Sequence, residues 1–326
     1  MSDTGGRDDE REDAGTPATG APEEAFARLG NRIRVAILEA LHEEFGGGDR
    51  DGAPVRYTEL REAVGIEDSG QFGYHLNQLL GEFVGKREHG YVLLSPGREL
   101  VHTIKSGAVA ATAGSAAGET NAACYRCGAP VTVTYTGGYV VACCTECPGA
   151  LGLDLVPDGA LSSIPVPAGA VGDAVETAPR ALLDRSHGRF CHRARMFGDG
   201  ICPRCGGEST ATIEVCDDHD GGEEPCSACG VTMPAVVRTT CRVCAEGGIA
   251  PGATVVSHRT PFREALAAAG VDRLGYDAFA TMLRWPATVT DADGDPALRY
   301  DLPTVGGDVV VDGDLDIAVE AVADGQ

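Results

Sequence analysis

Apolar residues return every three or four positions through "EEAFARLGNRIRVAILEALHEEF", at Phe26, Leu29, Ile33, Ile37, Leu38 and Leu41. That period predicts an amphipathic helix, which the loop "GGGDRDGAP" ends. A short strand at Val55–Tyr57, a helix from Thr58 to Val64, a turn at "GIED" and a second helix from Ser69 to about Leu80 follow. "FVGKREHGYVLL" reads as a hairpin, and a further helix begins near Ser95 and runs toward Ala113. Beyond it, "PVTVTYT" and "YVVAC" alternate as strands around Gly137-Gly138. Residues 179–197 have helical spacing, and "STATIEV" reads as one uninterrupted strand. Two helical segments follow Gly247, then the strands "WPATVT", "ALRYDLP" and "DVVVDGDLDIAVEAV", the last turning at Asp312-Gly313-Asp314.

Composition divides this string of elements. Residues 1–22 carry six acids, two arginines and no apolar period, which predicts a disordered acidic tail. "SGAVAATAGSAAGETNAA" weakens into a linker at 114–123, and the Pro/Gly-rich stretch 156–178 predicts a second linker. The expected parts are therefore 23–113, 124–155, 179–246 and an acidic α+β unit at 247–326. The fold class is α+β.

The helix from Ser69 contains the candidate for recognition chemistry. Phe72, Leu76, Leu79 and then Phe83 face the core by their spacing, while Gln71, Tyr74, His75 and Gln78 fall on the opposite stripe with Asn77 on its flank. Ser69 is placed to cap the helix and leave its first amides free for a phosphate. No acid occurs from Ser69 to Leu80, although the chain holds 49 acidic residues. Lys86, Arg87 and His89 at the hairpin tip complete the candidate DNA-binding set. The alternative is a packed element of a winged helix used only for dimerisation.

"EEAFARLGNRIRVAILEAL", "YTELREAVGIEDSGQFGYHLNQL" and "FVGKREHGYVLLSPGREL" resemble the first helix, helix-turn-helix and wing of ArsR-like regulators. The resemblance implies a winged helix-turn-helix that binds double-stranded DNA as a homodimer, with the Ser69 helix in the major groove and the wing on the backbone. The metal-sensing cysteines of that family are missing, since no cysteine precedes Cys124. The chain beyond 120 resembles the zinc-ribbon regions that follow ArsR-like domains in haloarchaeal proteins.

Charge tests that expectation, because the formal net charge is −23. Only Lys86 and Lys105 are lysine among 26 basic residues, and aromatics make up 5%. This composition points to a high-salt cytoplasm, with an acidic protein from a GC-rich genome as the alternative. Residues 23–105 hold 14 acids against 10 basic residues, whereas 245–326 hold 14 against 5. The acid is thus concentrated away from the candidate DNA surface. In concentrated salt, phosphate attraction contributes little, so binding has to rest on base-edge hydrogen bonds and shape.

All 13 cysteines lie between Cys124 and Cys244, mostly in CxxC pairs, a pattern of metal ligation. Cys124, Cys127, Cys144 and Cys147 form two knuckles at the end of one hairpin, which predicts a closed structural zinc site. Cys143 is surplus and reads as a buried thiol. Cys202, Cys205, Cys216, His219, Cys226, Cys229, Cys241 and Cys244 suffice for two more sites. Because the arms before Cys216 and after Cys229 are nearly equal, nesting is favoured. Cys202, Cys205, Cys241 and Cys244 would then hold one zinc, and Cys216, His219, Cys226 and Cys229 another; sequential pairing is the alternative. Up to three structural zinc ions are expected.

"RSHGRFCHRARM" carries Arg185, Arg189, Arg193 and Arg195 on one helix, for contact with phosphates or for pairing with the acidic C-terminal third. Cys191 and His192 are adjacent there and point apart. "DADGDP" and "DRDG" lack calcium-loop spacing and read as turns. No phosphate-binding loop, nucleophile elbow or paired-carboxylate setting occurs, so no enzyme is expected. No signal peptide or apolar run of membrane length is present, and a cytoplasmic protein without membrane contact is expected.

The sequence thus predicts a DNA-binding transcriptional regulator with a zinc-stabilised sensing or interaction region. The rival is an adaptor resembling archaeal general transcription factor E, which acts by contact with the transcription machinery.

Overall fold

The computed structural model describes residues 27, 29–45, 54–109, 117–154, 156–220, 222–292 and 294–321. The expected acidic tail and residues 23–26 of the expected first helix lie outside the described residues, while the helix that begins at Ser95 ends at Lys105, short of the expected Ala113. Helices and strands are mixed throughout, an α+β fold. The chain separates into two compact units, residues 1–105 and 106–326.

The first unit runs α1 (Arg32–Phe45), α2 (Tyr57–Val64), α3 (Ser69–Asn77), the hairpin β1 (Val84–Arg87) with β2 (Gly90–Leu93), and α4 (Ser95–Lys105). Its core gathers the apolar stripe of every element: Ile37, Leu38 and Leu41 from α1, Leu60 from α2, and Phe72 and Leu76 from α3. Leu79, Phe83, Leu93 and Val101 complete it. The predicted strand at 55–57 is a single bridge, Val55 to Tyr91. Gly90 is required beside it, because a Cβ there would strike the Val55 carbonyl. Gly65 ends α2 in the left-handed region (φ 71°), its N–H donating to the Arg61 and Glu62 carbonyls, and so turns the chain into α3.

Among its described residues the second unit holds three antiparallel sheets. The first is a meander of β3 (Gly118–Ala123), β4 (Pro130–Thr136), β5 (Tyr139–Cys144) and β6 (Ala160–Pro165). After the short helices α5 (Ala168–Val171) and α6 (Ala174–Thr177) comes α7 (Pro179–Gly198), 20 residues long with proline in its first turn. A three-stranded sheet of β7 (Ser209–Val215), β8 (Ala235–Cys241) and β9 (Gly247–Ala250) follows. Then come α8 (Gly252–Val255), α9 (Thr260–Ala268) and α10 (Tyr276–Arg284). A final meander of β10 (Ala287–Ala292), β11 (Asp295–Asp301), β12 (Gly307–Val311) and β13 (Ile317–Ala321) closes the unit.

One helix joins the cores of these sheets. Leu182 and Leu183 of α7 pack against the first meander. Cys191 and Ala194, further along the same helix, pack with Ile213 of β7 and Val237 of β8. Helix α10 behaves likewise, with Tyr276 in one cluster and Met282 in the other. The Tyr276 hydroxyl donates to the Ala123 carbonyl at 3.2 Å, and Asp184 accepts from the Tyr276 N–H at 3.2 Å.

The expected linker 156–178, and the described residues 117–123 of the other, are built into this core. Residues 156–178 contain β6, α5 and α6, with Leu161, Ile164 and Val175 buried. Proline misled the reading because β6 is an edge strand, where a residue without an N–H is tolerated. Within 114–123, β3 buries Gly118, Thr120 and Ala122 in strict alternation. These side chains are too small to reveal that period in the sequence. Truncating Phe72 should test the first core: Phe72→Ala is expected to destabilise that unit by about 3–5 kcal/mol in urea denaturation.

Candidate metal centres and nucleic-acid-facing surface

Each metal centre begins with a tight turn that brings two thiols to one point. In the first, the Cys124 N–H bonds to the Ala129 carbonyl at 2.8 Å, and the Gly128 N–H returns to the Cys124 carbonyl at 2.9 Å. Gly128 accepts the left-handed conformation (φ 82°) that this turn demands. The Arg126 N–H then points at Cys124 Sγ (3.4 Å), and the Glu146 and Cys147 N–H groups point at Cys144 Sγ (3.4 and 3.3 Å). The hairpin β4–β5 sets these two turns side by side. Cys124 and Cys147 sulfurs lie 3.8 Å apart, and those of Cys127 and Cys144 3.4 Å.

The same turn recurs at Cys202, whose carbonyl accepts from the Gly206 N–H at 2.9 Å, and Cys241 Sγ accepts from the Val243 N–H at 3.3 Å. Sulfurs of Cys202 and Cys244 are 3.7 Å apart, and those of Cys205 and Cys241 3.5 Å. At the third centre Cys229 Sγ lies 3.6 Å from His219 Nδ1, with Cys216 and Cys226 completing the set. In all three groups the ligand atoms lie within 4.8 Å of one another.

The pairing is nested. Strands β7 and β8 pair without a break from Ser209↔Cys241 to Val215↔Ala235, so the second centre sits at one end of the hairpin and the third at the other. Sequential pairing would need β7 to fold back on itself.

These donor sets fit zinc. A zinc–sulfur bond of about 2.3 Å requires tetrahedral sulfurs about 3.8 Å apart, close to the spacings found. Backbone N–H groups favour the thiolate at one cysteine in each of the second and third centres, while Cys205 and Cys216 of the same centres are pushed up, to about 12 and about 11. The Cys226 thiol is pulled down to about 6 by the N–H groups of Asp220 and Cys229, and Cys241 to about 6 by those of Cys244 and Val243. With four protein ligands each, the groups would leave a tetrahedral ion no open position. Cys143 and Cys191 stand outside them. Both are buried, and burial pushes their thiols up, to about 11 and about 12. His192, beside Cys191, is exposed and points away from it.

The first and third centres are tied together. Leu151 bridges to Val231, the Gly152 N–H donates to the Gly230 carbonyl at 2.8 Å, and Arg126 donates to the carbonyls of Gly149 and Glu223. Nothing in the cysteine spacing announces this link. Of the four arginines between 185 and 195 on α7, two contact carbonyls: Arg185 to Ala170 (2.8 Å) and Arg189 to Pro165 (2.7 Å). Arg195 bonds the Ser257 hydroxyl at 2.8 Å, and Arg193 alone of the four pairs with an acid, Glu246.

His187 on the same helix is fully buried. Its Nδ1 donates to the Leu183 carbonyl at 2.8 Å, and its Nε2 lies 2.9 Å from the Ser162 hydroxyl. Burial pushes it down to about 4, so the ring is neutral near pH 7. The i, i+4 stripe Leu183, His187, Cys191 was the available signal.

In the first unit α3 presents Ser69, Gln71, Tyr74, Asn77 and Gln78 to solvent, with Tyr74 63% exposed. Lys86, Arg87 and His89 are exposed on the hairpin. Two expectations need correction. His75 is 9% exposed, because it lies three residues after Phe72 and four before Leu79, on the edge of the core-facing stripe. The cap is Asp68, not Ser69: its carboxylate accepts from the Gly70 and Gln71 N–H groups at 2.7 and 2.9 Å. Those two bonds hold Asp68 below the usual carboxylate range. The amides expected to be free for a phosphate are therefore occupied by an acid.

A family model described as a domain of unknown function (DUF7351) matches residues 121–319, more than half of the chain. The protein belongs to the DUF7351 family. All three metal centres fall inside the DUF7351 match. Residues 22–104 match a second model, also described as a domain of unknown function (DUF7347). No curated protein and no solved structure matches the chain. No helix among the described residues is long and apolar enough to cross a membrane.

Zinc content checks the three centres directly. The purified chain should carry three zinc ions by native mass spectrometry. Replacing Cys202 and Cys205 with serine should remove one and cost several kcal/mol, on the order of 10 °C in Tm. Cys143→Ser should leave the zinc content unchanged.

Proposed function

We propose that the protein is a sequence-specific DNA-binding transcriptional regulator of ArsR-like type. In this reading the first unit is a winged helix-turn-helix, with α2 and α3 as the helix pair and β1–β2 as the wing. The second unit is a set of zinc ribbons that serves in sensing or partner contact.

The observation that carries the reading is the row of Gln71, Tyr74 and Gln78 standing out from α3 while Phe72, Leu76 and Leu79 anchor it in the core. Amide side chains of this kind pair in two-point fashion with adenine in the major groove, and the neighbouring Asn77 adds another. Lys86, Arg87 and His89 on the wing suit backbone contacts, and a homodimer would read two half-sites.

Asp68 alters the expected electrostatics. A carboxylate at the start of α3 repels phosphate, so the helix has to approach DNA through its exposed side chains and not its N-terminus. That suits a protein whose net charge of −23 already precludes general attraction to DNA. When bound, zinc would supply rigid tetrahedral staples; the chain's own backbone N–H groups orient the thiolates that hold it.

Footprinting in concentrated KCl tests the proposal: a defined palindrome should be protected. Gln71→Ala combined with Tyr74→Ala should abolish that protection while Tm stays within about 2 °C. Asp68→Ser keeps a cap while removing the charge, and should tighten binding several-fold in low salt and little in high salt. Binding to transcription machinery with no protected site would instead favour the adaptor resembling archaeal general transcription factor E.

A further inference from the structure

A cavity of about 670 Å³ opens in the second unit, within the range of small-molecule sites. Its floor is made by Leu161 and Ile164 of β6 and by Phe279 of α10, all buried. The residues that follow two metal knuckles supply one wall: Ala150 and Leu151 after Cys147, and Val231 and Met233 after Cys229. Tyr139 and Ile249 stand half-exposed at the mouth, at 45% and 37%.

The polar groups of this cavity define what it can hold. No lysine, arginine or histidine lines it, and its one carboxylate is Asp154 at the exposed side. An anion would lose its hydration there with no cation to replace it. Ser162 is the buried polar group of the lining, 7% exposed. Because His187 Nδ1 donates to the Leu183 carbonyl, its Nε2 has no proton and accepts the Ser162 hydroxyl proton. The oxygen of Ser162 is thereby committed as a donor toward His187 and keeps its capacity to accept. Behind it, the neutral imidazole cannot offer charge.

We infer that this cavity binds a neutral, largely apolar small molecule that donates one hydrogen bond, from a hydroxyl or N–H group, to Ser162 Oγ. Such a ligand would touch the loops of the first and third metal centres together. This gives the sensing role proposed above its ligand class, and it rests on that role only for its purpose. Binding is measured without DNA, so failure of either idea shows separately.

N-phenyl-1-naphthylamine, neutral with one N–H, is the probe for the zinc-loaded full chain. It should bind saturably, one per chain, and be displaced by dodecan-1-ol at least about tenfold better than by dodecanoate. Ile249→Trp at the mouth and Val236→Trp in the half-buried wall should each weaken it at least about tenfold, with zinc content and Tm retained. The N-methyl derivative, lacking the donor, should bind several-fold less tightly to the native chain and equally with the probe to Ser162→Ala. Unchanged affinity in Ile249→Trp, whose exposed position spares the fold, would overturn the inference, as would equal displacement by dodecanoate.

Discussion

The demand that four ligand atoms meet at one point governs the second unit. Each of the three groups draws its ligands within 4.8 Å, and each does so from two separate turns. A pair of turns can meet only if the strands between them have matching lengths. Strands β7 and β8 match residue for residue over their whole length, which places one group at each end. Ligation and strand register are thus one constraint, and the nested pairing is its consequence.

The same constraint explains how a chain with small side chains keeps its core together. Much of the second unit is alanine, valine, glycine and threonine, which bury little area each. Helix α7 compensates by lying against more than one sheet, and it carries a buried histidine to do so. His187 is tolerated because Leu183 and Ser162 satisfy both ring nitrogens. Ser162, one member of that polar pair, also lines the cavity. A scaffold held by ligation can leave such a space open at less risk than one held by packing alone.

In the first unit, the hydrophobic period was strong enough to place the two middle helices within a few residues, whereas the first and last are shorter than expected. Phe72, Leu76 and Leu79 fall where their spacing puts them. His75 did not, since a residue at the border of a stripe is decided by small rotations of the helix that spacing cannot resolve. Ser69 and Asp68 are both good caps by type, and only the observed backbone tells which carboxylate or hydroxyl reaches the Gly70 and Gln71 amides. The linkers misread at 114–123 and 156–178 share a cause. Strand β3 uses side chains too small to register, and β6 uses proline at an edge.

The amino-acid order by itself determined the helices of the first unit, the ligand identities and the equality of the hairpin arms, because these depend on local period and on the chemistry of thiols. Tertiary structure decided which side of α3 faces out at its borders, the link between the first and third centres, and the cavity floored by β6 and α10. Those features arise from contacts between residues far apart in the chain, and no local spacing records them. His187 shows the division most plainly: arginines stand two residues to either side of it in sequence, while the Ser162 hydroxyl and the burial that keeps it neutral come from the fold around it.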